Sequence, residues 1–227
     1  MTTIDVIQQI SRLNEQIYEI NFHEFPRSPL LQERGGFDEL EKEHFAKAIT
    51  IREEYNLPFW DSIMLTFFSK EKTSDFILAS ALNHNNKINL VSFQRQDFSL
   101  IKEFADRKLE SNLAFNSRII TISGETKHLP LLDFHIPQND KNKIIVQKVL
   151  KQLNLEKGFL LESGKSYHYI GEELITYEEL ITLLSKALLF APIIDRAWIA
   201  HQLLERSCSL RVSKKNGVFP TVIKKIL

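Results

Sequence analysis

The sequence of 227 residues contains a single cysteine, Cys208, and so cannot form a disulfide within the chain. It has no run of about 18 apolar residues, and no stretch matches a signal peptide. It also lacks an excess of charge, since basic and acidic residues each number 29. These absences predict a cytoplasmic protein without a membrane partner. They also exclude a global positive field, so any site for a polyanion must be local.

The seven histidines do not replace the missing cysteines as zinc ligands, because none of them lie at the spacing of a zinc finger. The sequence therefore argues against a structural zinc site. What it does have is apolar material, since 43% of the residues are hydrophobic, which is enough to bury a core. We interpret the chain as one compact domain with an N-terminal elaboration.

Two amphipathic helices are predicted in the N-terminal part, separated by the helix-breaking segment "FPRSP". The first covers Thr3–Ile20, where apolar residues recur with a period near 3.6. The second runs from Asp38 to Tyr55 and begins with a capping-box pattern. We expect residues 1–60 to form a helical elaboration and residues 61–227 to form the main domain.

From Ser62 onwards, short apolar runs alternate with helical patterns. The predicted strands are "IMLTFF", "KINLVSF", "RIITIS" and "LLDFHI", and the predicted helices are 74–82, 97–112, 141–153, 176–190 and 195–206. The segments "GFLLESGKSYHYIG" and "SLRVSKKNGVFPTVI" are each predicted to form a β-hairpin. This pattern predicts an α+β (α/β) fold with a mixed, mainly antiparallel sheet and flanking helices.

The segment "ESGKS" at 162–166 partly matches a phosphate-binding loop. That loop requires a glycine at position 159, which is occupied by Phe159. It must also open a helix, whereas the "YHYIG" that follows Ser166 is typical of a strand. We therefore reject a Walker-type nucleotide site and interpret the segment as the polar tip of a hairpin.

The segment "LLDFHIP" carries an acid and a histidine two positions apart. Because side chains alternate between the faces of a strand, Asp133 and His135 are predicted to share one face. Two ligands on one face can bind a metal ion together, but such pairs also occur at ordinary sheet edges. His168 and Asp195 have ordinary explanations as well: a packed core histidine and the N-cap of a helix.

The order of these motifs resembles the archaeo-eukaryotic primase superfamily, and within it the primase 1D-like members. That family has an RRM-like sheet with an Asp-x-Asp strand, a Ser-x-His strand and an apolar element that ends in aspartate. In this sequence "LLDFHIP", "GKSYHYI" and "PIIDRAW" stand in the same order, with a predicted helix between the first two. The family's second aspartate is replaced by His135.

The resemblance implies a metal-assisted catalytic site at Asp133, His135 and Asp195, with Mg²⁺ or Mn²⁺ as the divalent metal. Carboxylates suit magnesium, whereas an imidazole suits manganese, zinc or cobalt. It also implies that the nucleotide phosphates bind at Ser166, His168, Lys165 and Arg211. The basic residues Lys214 and Lys215 would face the same polyanion, since the last 22 residues hold six basic side chains and no acidic one.

Three functions remain open from the sequence. The first is a primase-polymerase-like nucleotidyltransferase that acts on nucleotides or on single-stranded DNA or RNA, in replication or repair. The second is a binding module that has lost catalysis through the exchange at His135, with Phe134, Tyr167 and Tyr169 stacking on bases. The third is an interaction module whose acidic N-terminal helices dock a basic protein partner.

Overall fold

The computed structural model describes residues 1–25, 39–57, 59–66, 89–107, 112–214 and 217–226. Within these residues the fold is α+β, as predicted. The α-helices are α1 (Thr3–Leu13), α2 (Glu39–Tyr55), α3 (Phe59–Thr66), α4 (Ile101–Arg107), α5 (Asp140–Gln152), α6 (Tyr177–Leu188) and α7 (Arg196–Glu205). A 3₁₀ helix, Arg95–Leu100, precedes α4. The strands are β1 (Ile17–Phe25), β2 (Asn89–Gln94), β3 (Asn112–Thr121), β4 (Thr126–His128), β5 (Leu131–Asp133), β6 (Gly158–Glu162), β7 (Tyr167–Gly171), β8 (Ser209–Arg211) and β9 (Thr221–Ile226).

The chain divides into two compact units, and this division differs from the predicted boundary at residue 60. The larger unit comprises Met1–Phe25 and Ile88–Leu227, and the smaller unit comprises Pro26–Lys87. Residues 1–25 belong to the larger unit because β1 pairs with both β2 and β3. The N-terminal segment is therefore part of the main fold.

The smaller unit contains α2 and α3. The predicted second helix is confirmed as α2, but the prediction of a strand at "IMLTFF" is wrong, because Ile63–Thr66 form the end of α3. A short apolar run does not distinguish a strand from a packed helix, and Ile63 is indeed buried. The rest of that run and the predicted helix at 74–82 lie outside the described residues.

The first sheet of the larger unit has the strand order β2-β1-β3-β4, with β8 also paired to β3. All of these pairs are antiparallel. The predicted helix Thr3–Ile20 stops at Leu13, since Asn14 adopts an extended conformation and its amide closes the last turn on Ile10. The chain then enters β1, whose buried residues Ile17, Ile20 and Phe22 join the core.

The second sheet has the strand order β5-β7-β6-β9, again with antiparallel pairs only. The predicted β6–β7 hairpin is confirmed. The predicted terminal hairpin is wrong: β8 pairs with β3 in the first sheet, whereas β9 pairs with β6 in the second. The local turn signal does not specify which sheet each flanking strand joins.

The helices of this unit begin where the capping residues predict. Thr176 and Glu179 form the predicted capping box of α6, in which each side chain accepts from the other residue's amide. The predicted helix 141–153 is confirmed as α5. The predicted helix 97–112 is shorter than expected, because a 3₁₀ turn precedes α4 and Asn112 already starts β3.

Candidate functional site

The end of β5 and the segment before α7 run side by side. Phe134 pairs antiparallel with Ile194, and the amide of Asp195 donates to the carbonyl of Asp133 at 3.0 Å. Phe134 and Ile194 are buried. Since neighbouring residues of extended chain point to opposite faces, Asp133 and Asp195 point together to the other face, directly opposite each other. Two carboxylates that are 62 positions apart in the sequence are thus brought together.

The adjacent strand β7 extends this arrangement to a third side chain. His168 is the direct partner of Asp133 in the β5–β7 pair, and 3.5 Å separate His168 Nε2 from Asp133 Oδ1. His168 is buried, with only 5% of its surface exposed. The three residues form a continuous line across neighbouring strands, which we call the carboxylate row: His168, Asp133 and Asp195.

His135 adds a second acid–histidine contact at the end of this row. Its Nδ1 lies 3.6 Å from Oδ2 of Asp195. The other oxygen of Asp195, Oδ1, accepts hydrogen bonds from the amides of Ala197 and Trp198 at 2.9 and 3.0 Å. Asp195 is therefore the N-cap of α7, as one of the two sequence interpretations predicted.

The pKa of Asp195 depends on these contacts. Burial raises the pKa of the carboxyl. The contact with His135 and the hydrogen bonds from the amides of Trp198 and Ala197 together lower it by more, so the pKa lies below its ordinary value. Asp195 is thus held in its negative form at neutral pH. Asp195 therefore places a fixed negative charge next to Asp133.

The carboxylates of the row remain reachable from solvent, although the residues beneath them are buried. The exposed fractions of the Asp133, Asp195 and His135 side chains are 29%, 23% and 33%. A ligand can therefore approach both carboxylates from one side. The negative charge of the two carboxylates disfavours a phosphate that approaches them alone.

Ser166 and Arg211 also lie at the site, but each has a structural contact. The hydroxyl of Ser166 donates to the carbonyl of Phe134, which ties the β6–β7 hairpin to the end of β5. The guanidinium of Arg211 donates to the carbonyl of Ser163 at 2.5 Å and to that of Ser213. Arg211 thereby joins the first sheet to the hairpin of the second.

Arg211 also contributes charge to the row. Burial lowers the pKa of its guanidinium, and the negative charge of Asp133 opposes that shift. Lys165 is exposed at the hairpin tip, next to Ser166 in the chain. Lys214 stacks on the ring of Phe219 at 4.9 Å, and Lys215 lies outside the described residues.

The three aromatic residues that were predicted to stack on bases are not available for it. Phe134, Tyr167 and Tyr169 are at most 2% exposed. The Tyr167 hydroxyl donates to the carbonyl of Asn139 and accepts from its amide, both at 2.9 Å. The Tyr169 hydroxyl donates to the carbonyl of Lys157 at 2.7 Å. This prediction is wrong, because strand aromatics here fill the core.

The donor set decides which kind of metal site the row could form. Within the described residues, no group of three or more His, Cys, Asp or Glu side chains is arranged to hold a metal ion. The row therefore does not fit a resident metal enclosed by protein ligands. Mg²⁺ in nucleotide sites, however, is held by one or two carboxylates, with substrate phosphates and water as the other ligands. Asp133 and Asp195 fit that second arrangement.

One neighbour of the row was missed by sequence reasoning. His201 of α7 lies close enough to Asp195 to interact with its charge: burial lowers the pKa of His201, and Asp195 opposes the shift. No motif includes His201. Its proximity follows from the direction in which α7 leaves its N-cap, which the sequence pattern does not specify.

The described part of the chain contains no helix with the length and apolar character needed to cross a membrane.

The family comparison covers all of these residues. The model of the archaeo-eukaryotic primase 1D-like family, AEP-like, matches residues 94–224, which is more than half of the chain. No curated protein and no solved structure is significantly similar to the chain. The matched range contains the carboxylate row, His135 and Arg211. The chain belongs to the archaeo-eukaryotic primase 1D-like family.

Proposed function

We propose that this protein acts on nucleotides, and that the carboxylate row binds a nucleoside triphosphate, or the phosphates of a single-stranded nucleic acid, together with a divalent cation. The observation that carries the proposal is the position of Asp133 directly opposite Asp195, with 3.0 Å between the Asp133 carbonyl and the Asp195 amide. Membership in a primase-like family supports the same conclusion.

Electrostatics explains why a cation belongs at this face. Opposed residues on neighbouring antiparallel strands have Cβ atoms about 5 Å apart, and like charges at that separation destabilise a sheet. The low pKa of Asp195 means that its charge is not relieved by a proton at neutral pH. A cation bound between the carboxylates and a phosphate would neutralise all of them.

The remaining residues would orient the nucleotide. His168 holds Asp133 from the opposite side at 3.5 Å and thus fixes the direction of its carboxylate. Lys165 is exposed at the hairpin tip, where it would contact a phosphate, and it forms no ion pair with any residue that the structure describes. Arg211 supplies positive charge beside Asp133 while its hydrogen bonds hold the hairpin in position.

The test is a titration of a fluorescent nucleoside triphosphate with the full chain in MnCl₂, MgCl₂ or EDTA, followed by anisotropy. We expect binding in either metal and at least about tenfold weaker binding in EDTA. Asp133→Asn should weaken the metal-dependent binding by about tenfold or more. Asp106→Asn, a matched change at an exposed position of α4, should leave it unchanged.

Two results would overturn the proposal. The first is equal affinity in metal and in EDTA, which would separate nucleotide binding from the carboxylates. The second is the absence of nucleotide binding under every condition, which would favour the protein-interaction module. The circular dichroism spectrum of Asp133→Asn must match that of the wild type, so that a loss of binding is not a loss of fold.

A second candidate function is binding without turnover, and His135 favours it. An imidazole stands where the family motif has its second aspartate, and one oxygen of Asp195 is committed to the N-cap of α7. Fewer carboxylate oxygens are then left to hold two ions for nucleotidyl transfer. Incubation with a primed template, nucleotides and Mn²⁺ distinguishes the two: extension products indicate transfer, and metal-dependent binding without products indicates a binding module.

A further inference from the structure

A pocket separate from the carboxylate row lies between the end of α1 and the 3₁₀ helix Arg95–Leu100. It has a volume of about 270 Å³, and the described residues that line it include two arginines and no carboxylate. The residues that line it are Ser11, Arg12, Arg95, Gln96, Phe98 and Ser99. None of them belongs to the carboxylate row. A water molecule occupies about 30 Å³ in the liquid, so the pocket has room for a phosphate group and part of an ester.

Arg95 is held in place by the end of α1. Its Nη1 donates to the carbonyls of Asn14, Glu15 and Ile17, at 3.1, 3.2 and 3.2 Å. These carbonyls follow the last turn of the helix, where backbone acceptors lack helical partners. The contacts fix the guanidinium plane, while Nε and Nη2 make no hydrogen bond to any residue that the structure describes. Arg95 is therefore a cation of fixed orientation, whose Nε and Nη2 can donate hydrogen bonds to a ligand.

Arg12 brings a second positive charge to the same pocket. It lies in the last turn of α1, is exposed, and forms no ion pair with any described residue. Two guanidinium groups on one pocket repel each other unless an anion lies between them. Arginine is also the side chain whose planar set of donors best matches phosphate and carboxylate oxygens.

Ser11 supplies the third observation. Its side chain is 1% exposed, and its hydroxyl oxygen is buried without a hydrogen-bond partner within the described residues. A buried hydroxyl that makes no hydrogen bond is costly, and native structures contain few of them. Ser11 lines the pocket, so an oxyanion bound there would supply the missing acceptor once the hydroxyl turns towards it.

We propose that Ser11, Arg12 and Arg95 form a binding site for a phosphate-sized oxyanion, either free phosphate or the phosphate group of a monoester. The site is independent of the proposed nucleotide function, because it shares no residue with the carboxylate row. Two of its three residues also lie outside the range 94–224 that matches the family.

The test is calorimetric titration of the full chain with inorganic phosphate, and separately with adenosine monophosphate. EDTA is present throughout, so that no cation engages the carboxylate row, and NaCl keeps the ionic strength constant. We expect saturable binding in at least one arm. Phosphate alone would assign free phosphate as the ligand, and tighter binding of the monoester would assign an esterified one.

Two variants connect binding to the pocket. Arg12→Gln and Ser11→Ala should each weaken binding about tenfold, the size expected for one hydrogen bond to a charged group. Arg52→Gln is the matched control, because Arg52 is likewise an exposed arginine in the last turn of its helix, α2, and does not line the pocket. Its affinity should equal that of the wild type.

A purely structural role for Ser11 predicts a different result. In that case Ser11→Ala would lower the melting temperature of the free protein. Removal of an unpaired buried hydroxyl should instead leave the melting temperature of the free protein equal or higher, while the stabilisation by phosphate is reduced. The proposal is overturned if neither ligand binds, or if Arg12→Gln and Ser11→Ala bind as the wild type does.

Discussion

His135 lies against Asp195, with 3.6 Å between the imidazole Nδ1 and the carboxylate Oδ2. The same position carries the second aspartate in the family motif that this sequence resembles. A third carboxylate there would face two others, Asp133 and Asp195, and would need a cation to offset the repulsion. An imidazole avoids that requirement and also helps to keep the pKa of Asp195 low. His135 thus avoids the additional repulsion that a third carboxylate would bring to the row.

The substitution His135→Asp should therefore couple the stability of the protein to a divalent metal. In EDTA we expect a lower melting temperature than that of the wild type, because three carboxylates repel one another. MnCl₂ should raise the melting temperature of the variant by more than it raises that of the wild type. Differential scanning calorimetry in the two buffers measures both effects.

The control for that experiment is His135→Asn, which has nearly the same shape as aspartate but no charge. It should show little response to manganese. A response of the same size in His135→Asn and His135→Asp would contradict the electrostatic account of the row.

Asp195 is the N-cap of α7 and also supplies a carboxylate to the row, and two substitutions can separate these roles. Asparagine caps a helix about as well as aspartate, whereas alanine does not. Asp195→Asn should therefore leave the free energy of unfolding close to that of the wild type, and Asp195→Ala should lower it by about 1 kcal/mol. Both variants should lose metal-dependent nucleotide binding. Urea unfolding and nucleotide titration of the two proteins would disprove this separation if Asp195→Asn bound the nucleotide normally.

Local patterns in the sequence predicted the parts of the fold that depend on neighbouring residues. The N-cap at Asp195, the capping box of Thr176 and Glu179, and the β6–β7 hairpin are all present. The carboxylate row depends on contacts between distant segments, and no local pattern places Asp195 beside Asp133. That proximity was expected only because the order of the motifs resembles a family.

Other features could not be predicted from the sequence for the same physical reason. The apolar spacing at Ile17 and Ile20 continues the period of α1, yet the pairing of β1 with two strands stabilises an extended conformation instead.

The phosphate-binding role expected for Ser166 and Arg211 remains a prediction. Their observed hydrogen bonds go to backbone carbonyls exposed by the tertiary fold, which composition and spacing do not reveal.

The pH dependence of stability should show the effect of His128, which is buried beside Ser117. Burial, with a smaller effect of Arg118, lowers its pKa from 6.5 to about 4. Below pH 6.5 the unfolded chain therefore takes up a proton that the folded protein does not. The free energy of unfolding should fall as the pH decreases from 6.5 towards 4, by about 1 kcal/mol per pH unit.

His23 has a pKa lowered to about 4 by the same causes, and burial also lowers the pKa of His201, so these two residues contribute to the slope together with His128. His128→Gln should therefore remove roughly a third to a half of the histidine-dependent loss between pH 6.5 and pH 5. Urea unfolding of both proteins at several pH values measures the slopes. An unchanged slope in His128→Gln would show that His128 does not titrate as its burial implies.

Two glycines allow the effect of a steric clash to be compared with the effect of backbone strain alone. Gly158 lies in the β6–β7 hairpin, and Gly124 lies in the turn between β3 and β4. A Cβ at Gly158 would lie 2.4 Å from the carbonyl oxygen of Ile170, a backbone atom that cannot move without disturbing β7. A Cβ at Gly124 would meet no atom within 4 Å, although the φ of +81° disfavours other residues. We expect Gly158→Ala to lower the free energy of unfolding by about 3 kcal/mol and Gly124→Ala by about 1 kcal/mol, as measured by urea unfolding.

The same two variants test whether the hairpin positions the carboxylate row. Because β7 carries His168, Gly158→Ala should weaken metal-dependent nucleotide binding, whereas Gly124→Ala should not. Equal nucleotide affinity of the two variants would show that the hairpin does not position the row.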